Sequence, residues 1–199
     1  MGDLTLITGG ARSGKSAFAE SQAGQSGRAV TYIATLEPLD EEMRHRVARH
    51  RARRPATWRT IEVGGEIGGS EAGSGLAAAV AGTAGGDAIL VDCIAVWTSN
   101  RLLALCANTE GDETPGDEAV AAIEDALALE VGRLLDAIAA RSGPTIIVTN
   151  EVGDGVVPPY ALGRVYRDLL GRVNQQLSRA ARQAYLVVAG RALPLPPPF

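Results

Sequence analysis

The sequence predicts an α/β protein, a mainly parallel sheet with helices on both faces. Three observations predict it. Short apolar runs such as LTLIT, AILVDC and TIIVTN alternate with longer helical stretches, the pattern of strands buried between covering helices. The first of these runs leads directly into GGARSGKS, which fits a phosphate-binding loop between a strand and a helix. A chain of 199 residues suits one well-packed domain, and no repeat or linker divides it.

The elements follow in order. Residues 4–8 (LTLIT) read as a buried strand and SAFAESQA as the start of a helix. Residues 29–34 (AVTYIA) are β-branched and apolar, a second strand. Residues 40–54 hold no Gly or Pro. Asp40 suits an N-cap, Glu41 and Glu42 suit the first turn, and Pro55 stops the helix. TWRTIEV is extended, residues 64–86 are rich in Gly, Ala and Ser with a helix expected near 76–81, and AILVDC (88–93) is a buried strand ending in an acid. WTSNRLLAL is helical, NTEGDETPGDE is an acidic loop, and 118–141 is a long helix. TIIVTN (145–150) is a strand, EVGDGVVPP a loop, 161–182 a helix and AYLVVAG (184–190) a late strand. The Pro-rich tail 191–199 is expected to continue neither helix nor sheet regularly, so the domain is read as 1–199 with that tail appended.

Composition narrows the function. Hydrophobic residues make up 46% of the chain, and no apolar run approaches the roughly 20 residues needed to span a bilayer. The N-terminus has no basic region before an apolar core, so no secretory signal is expected. Cys93 and Cys106 are no disulfide framework, which makes a reducing cytoplasm the default. Two cysteines and two histidines give no zinc spacing. A net charge of −4 excludes a generic polyanion binder, so attraction for phosphate must be local.

The phosphate loop comprises Gly9, Gly10, Ala11, Arg12, Ser13, Gly14, Lys15 and Ser16. Its glycines let the backbone curl so that successive N–H groups point at phosphate oxygens, and the following helix N-terminus adds positive potential. Lys15 is suited to the β- and γ-phosphates and the Ser16 hydroxyl to Mg²⁺. Asp92 closes a buried strand and is suited to sit near the same ion, directly or through water. Lys15 is the sole lysine, so the Asn-Lys-x-Asp base reader of signalling GTPases is absent.

EEMRHRVARHRARRPATWRT holds both histidines and seven arginines. On a helix, His50 shares a face with Arg46, Val47, Arg53 and Arg54, so no i, i+4 partner makes it a metal ligand. Three readings stand. His50 is an exposed helix residue, or part of a nucleic-acid face, or a nucleophile. The acidic net charge and few aromatics oppose the second. For the third, a neutral imidazole can attack phosphorus to form a phosphoramidate, while adjacent guanidinium groups stabilise leaving pyrophosphate.

These motifs carry a resemblance across nearly the whole chain. LITGGARSGKSAFAE, YIAT, DEEMRHRVARHRARRPATWRTIE, ILVDCIAVWTSNRLL, VTNEVGDGVVP and RVYRDLLGRVNQQLSRAA occur in that order. Together they resemble the bifunctional adenosylcobinamide kinase / adenosylcobinamide-phosphate guanylyltransferase family of cobalamin biosynthesis. Its most specific pattern falls on Met43, Arg46, Val47, His50, Arg54, Pro55, Trp58, Thr60 and Glu62.

The resemblance implies a RecA-like P-loop fold and two reactions. One phosphorylates the aminopropanol hydroxyl of adenosylcobinamide from ATP or GTP. The other transfers GMP from GTP onto that phosphate, releasing pyrophosphate, with the residue matching His50 as covalent carrier. It also implies nucleotide contacts at residues 9–16, at Ala34, Thr35 and Leu36, at Arg51, Ala52, Arg53 and Arg54, and at Glu62 and Asp92. A Glu62 carboxylate can accept both guanine N1–H and N2–H, which selects guanine. A homotrimer and no nucleic-acid partner are implied as well. The rival readings are a RecA-like ATPase acting on nucleic acid or protein, and a monofunctional small-molecule kinase.

Some positions depart from the pattern. His45 has no counterpart role and reads as an exposed helix residue. Thr57 stands where relatives often carry His, Asp154 occupies a loop site that is more often apolar in the family, and Pro159 stiffens the same loop. Trp58 suits either a core position or a ligand contact, and the RDLLGRVNQQL helix reads as more structural than catalytic.

Overall fold

The structure is a computed structural model that describes residues 2–36, 41, 54–64, 75–107 and 115–199. Seven strands form one sheet: β1 Leu4–Thr8, β2 Val30–Ala34, β3 Arg59–Glu62, β4 Ala88–Asp92, β5 Thr145–Val148, β6 Gln183–Val188 and β7 Arg191–Pro194. The described helices are α1 Lys15–Gln25, α2 Leu76–Ala81, α3 Ile94–Cys106, α4 Asp117–Ala139 and α5 Ala161–Ala180. No described helix is long and apolar enough to cross a membrane.

The strand order is β3-β2-β4-β5-β1-β6-β7, and every pairing is parallel except β6 with β7. This is the α/β architecture that the alternating apolar runs predict. The central strands β4 and β5 are buried along almost their whole length, which explains their continuous apolar sequences.

Two apolar layers flank the sheet, selected by the two-residue period of each strand. Leu4, Leu6, Ile33, Ile89, Val91 and Ile147 face the core shared with helices α2 to α5. Ile7, Val30, Tyr32, Leu90, Ile146 and Val148 face the other way, against Ala19 and Ala23 of α1. Small residues on α1 bring it close to the sheet, which sets the loop before it directly over the strand ends.

Expected and observed elements differ at several boundaries. The helix after β4 starts at Ile94, ahead of the WTSNRLLAL stretch, because Ile94 and Ala95 are already buried against the core. The long helix α4 spans Asp117–Ala139 and α5 ends at Ala180. The helix expected over 40–54 lies almost wholly outside the described residues.

One difference is a correction. Residues 191–194 do not leave the sheet as a tail but form β7, antiparallel to β6 with Val188 opposite Arg191. Ala189 and Gly190, with φ 49° and 77°, make the two-residue turn, the doubly left-handed geometry that matches strand twist in a hairpin. Pro194 is tolerated because β7 is an edge strand and the proline sits at its end.

Buried charge braces the helical layer. Arg101 on α3, 4% exposed, makes a bidentate pair with Glu130 of α4, Nη2 to Oε1 at 2.7 Å and Nε to Oε2 at 2.9 Å. Arg141, after α4, donates to the carbonyls of Val80, Thr83, Ala84 and Asp87. It thereby closes the C-terminal end of α2 and the turn into β4.

Candidate functional site

Parallel strands deliver their C-terminal ends to one edge, and there the chain reverses direction across the sheet. β1 is followed by strands on one side of it, whereas β6 is added on its other side. A crevice at such a switch point is where open α/β sheets hold ligands. The phosphate loop lies at this point, between β1 and α1.

The loop conformation explains its glycines. Gly9 and Gly14 take φ 153° and 100°, and Arg12 also adopts a left-handed φ of 57°. A side chain on Gly9 would collide with the Val187 carbonyl, and one on Gly14 would come within 3.2 Å of Gly190 Cα. Gly190 N–H donates to the Ser13 carbonyl at 2.8 Å, so the β6–β7 turn supports the loop from beneath. Ser13 N–H donates to the Gly10 carbonyl at 3.3 Å, while the buried Ser13 hydroxyl has no hydrogen-bond partner among the described residues.

Lys15 opens α1, and its Nζ donates to the Gly10 carbonyl at 3.1 Å, reaching across the loop. Burial lowers its pKa, an effect opposed by the nearby Asp92 carboxylate. The ammonium is therefore poorly solvated at its resting place, which favours its exchange of water and carbonyl contacts for phosphate oxygens. No acid occupies the first turn of α1, so its own side chains do not offset the positive potential of the helix N-terminus.

Register aligns the remaining residues. Ala34 pairs with Glu62 on one side and with Asp92 on the other, and Asp92 pairs with Val148. Glu62, Ala34 and Asp92 thus form one row at the C-terminal edge. Glu62 is exposed at the outer strand, where a carboxylate can accept hydrogen bonds from a ligand.

Thr35 is fully buried and bridges two strands. Its Oγ1 donates to the Cys93 carbonyl at 2.7 Å and accepts from Cys93 N–H at 2.9 Å, while Asn100 Nδ2 donates to its carbonyl at 3.1 Å. Leu36, half-buried, follows it. The Cys93 thiol is pushed up to about 11 by burial and then by Asp92, so it is neutral and inert at physiological pH.

Asp92 Oδ2 accepts the Tyr32 hydroxyl at 3.1 Å. Arg54 lies 3.7 Å from the centroid of the Tyr32 ring, and its Nη1 donates to Thr60 Oγ1 at 3.3 Å. Burial, and then Asp92, raise the Tyr32 pKa far above its ordinary value, so the phenol stays a donor. Sequence reasoning had no signal for Tyr32, which reads there as one apolar residue of a strand.

Other residues take structural places. Trp58 is half-buried and packs in the α1-side core beside Gly24, which favours the core reading over the ligand one. Asn174 of α5 accepts from Thr149 Oγ1 at 2.7 Å and donates to the Asn150 carbonyl at 3.0 Å, anchoring the end of β5 next to the phosphate loop. This agrees with a structural part for α5. Asp154 and Pro159 are exposed, and Arg164 donates to the Pro158 and Pro159 carbonyls. His45, His50, Arg51, Ala52 and Arg53 lie outside the described residues.

For a hard cation, the described residues bring together no cluster of three or more His, Cys, Asp or Glu side chains. Mg²⁺ in nucleotide sites does not need one, because it keeps waters and uses one or two protein oxygens plus phosphates. Ser16 in the first turn of α1 and Asp92 at the end of β4 fit that donor set. Asp92 lies near enough to Lys15, the residue before Ser16, for its charge to oppose the lowering of the Lys15 pKa by burial.

Comparison with known proteins agrees with this geometry. Residues 5–195 match the family profile described as CobU, cobinamide kinase / cobinamide phosphate guanyltransferase. The chain is similar to the bifunctional adenosylcobalamin biosynthesis protein CobU of Salmonella typhimurium, with 41% identity over 94% of this chain and 96% of that protein. The CobU protein of Escherichia coli is 38% identical over 94% of this chain and 96% of its own length. The CobP protein of Pseudomonas aeruginosa, named for the same bifunctional role, is 39% identical over 96% and 95%.

Proposed function

Because the chain belongs to the cobinamide kinase / cobinamide phosphate guanyltransferase family, we propose that its sheet edge performs both reactions on one nucleotide-binding face. The observation that carries this reading is the meeting of the phosphate loop, Asp92 and the Ala34–Glu62 row at a single edge. The substrates are adenosylcobinamide, its phosphate, GTP and ATP.

In the kinase step the aminopropanol hydroxyl oxygen attacks the γ-phosphorus. Its bond to the β-bridging oxygen breaks, and the nucleoside diphosphate leaves as the hydroxyl proton is lost. Lys15 and the loop N–H groups of residues 9–16 hold the phosphates and stabilise charge on the equatorial oxygens. Ser16 and Asp92 would hold Mg²⁺, which would neutralise charge on the phosphates.

In the guanylyl step the neutral His50 imidazole attacks the α-phosphorus of GTP and pyrophosphate leaves. The phosphate oxygen of adenosylcobinamide phosphate then attacks the same phosphorus, giving adenosylcobinamide-GDP and freeing the imidazole. Arg51 to Arg54 are placed by sequence to bind the triphosphate, and Glu62 to select guanine. The working form is a homotrimer in the cytoplasm.

The test uses GTP labelled at the α-phosphate. Wild type should acquire acid-labile, alkali-stable label, and His50→Ala should not. Label that persists in the variant removes His50 from the carrier role. Lys15→Ala should abolish phosphorylation of cobinamide, and retained kinase activity would overturn the phosphate-loop assignment.

A further inference from the structure

Among the described residues, the Arg54–Tyr32–Asp92 stack is a polar cluster at the edge that neither half-reaction accounts for on its own. Tyr32 is 4% exposed and lies in the middle of β2, between β3 and β4. A tyrosine there could be only a core aromatic, since it belongs to the α1-side apolar layer, in register with Leu90 of the neighbouring β4. Packing alone requires no hydroxyl. A phenol buried without a partner is costly, and this one reaches a neighbouring strand to donate to Asp92 Oδ2 at 3.1 Å.

The same ring has a second charged neighbour. The Arg54 guanidinium sits 3.7 Å from its centroid, held also by Thr60 Oγ1 at 3.3 Å. A guanidinium over a ring is attracted by the quadrupole and keeps its edge N–H donors for other partners. Arg54 is the last arginine of the sequence run that begins one residue after His50. One side chain therefore touches a residue from each half of the chemistry, through its hydroxyl and through its face.

We propose that Tyr32 is a positioning residue shared by the two half-reactions: its hydroxyl orients the Asp92 carboxylate for phosphoryl transfer, and its ring seats Arg54 for binding of the GTP phosphates. This rests on the proposed roles of Asp92 and Arg54 at the nucleotide. The two contacts are separable by substitution, because Phe keeps the ring and Leu keeps neither.

The experiment compares wild type, Tyr32→Phe and Tyr32→Leu by thermal melting, by cobinamide kinase kinetics and by calorimetric titration with GTP. In Tyr32→Phe the kinase kcat should fall about tenfold, the effect of one lost hydrogen bond to a charged group. The nucleotide KM and the GTP Kd should stay within about twofold, because the Arg54 seat remains. In Tyr32→Leu the GTP Kd should also rise, by about fivefold for a lost cation–π contact.

Full kinase kcat in folded Tyr32→Phe would overturn the hydroxyl's role. So would a fall in kcat matched by an equal weakening of GTP binding. Unchanged GTP affinity in Tyr32→Leu would overturn the ring's role; if Leu prevents folding, Tyr32→Ile and Thr60→Val supply the same comparison through ring loss and loss of the Arg54 tether. None of these readouts uses the histidine adduct. Absence of label on wild type would therefore remove the His50 carrier while leaving the Tyr32 result to stand or fall separately.

Discussion

Gly190 N–H donates to the Ser13 carbonyl at 2.8 Å, tying the turn of a C-terminal hairpin to the phosphate loop near the other end of the chain. The loop is thus supported from outside its own strand and helix. Its curvature depends on β6 and β7 as well as on the glycines within it.

Replacing Gly190 by Val should damage nucleotide binding from a distance. Its φ of 77° lies in the left-handed region, where a β-branched residue costs about 1–3 kcal/mol. Reshaping the turn would move the N–H away from Ser13. Calorimetry should show weakened GTP binding together with a lower melting temperature. A variant with lowered stability and wild-type GTP affinity would show that the hairpin supports the fold alone.

Glu62 tests nucleotide choice. It is exposed at the end of β3, in register with Ala34, so substitution should cost little stability. Under the proposed reading Glu62→Ala should weaken GTP binding by about 10- to 100-fold, the effect of losing two hydrogen bonds from one carboxylate. ATP binding should hardly change. Competition between the two nucleotides measures the ratio, and an unaltered ratio would rule out guanine reading by Glu62.

Arg141→Met should affect stability without chemistry. The guanidinium serves the carbonyls of Val80, Thr83, Ala84 and Asp87 and is 6% exposed. Leaving several buried acceptors unpaired costs about 3 kcal/mol or more. Denaturant melts should show that loss, while kinase kcat per folded molecule remains at the wild-type level.

Alkaline pH should expose the buried thiol. Cys93 titrates near 9.0 when unperturbed and is pushed up to about 11 in the fold, chiefly by burial. Its folded pKa is the higher one, so the unfolded chain releases the proton first. The associated stability is complete below pH 9 and is lost as pH rises toward 11, at up to about 1.4 kcal/mol per pH unit. Urea melts from pH 8 to 11 should therefore slope less steeply in Cys93→Ala. Equal slopes would mean that the thiol ionises at its ordinary pKa.

Much of this architecture was legible in the chain. β1, the phosphate loop and α1 form one local unit, and the loop's spacing names Lys15 and Ser16 before any folding is known. The acid closing AILVD is legible for the same reason, since a buried parallel strand delivers its last side chain to the ligand edge. The hairpin was not legible, because its prolines suggest a tail. The Ala189–Gly190 turn signals a reversal, but only the free edge of β6 makes pairing with Arg191–Pro194 profitable.

By itself, then, the sequence determined the α/β class, the phosphate loop and the family resemblance, because each rests on periodicity or short spacing. The tertiary structure decided which distant groups meet. Tyr32 and Asp92 are sixty residues apart in the chain and touch only because β2 lies beside β4. Arg54 reaches the Tyr32 ring only where β3 pairs with β2 on its other side. Strand order carries no local signature, and the contacts across it arise from simultaneous burial of both sheet faces.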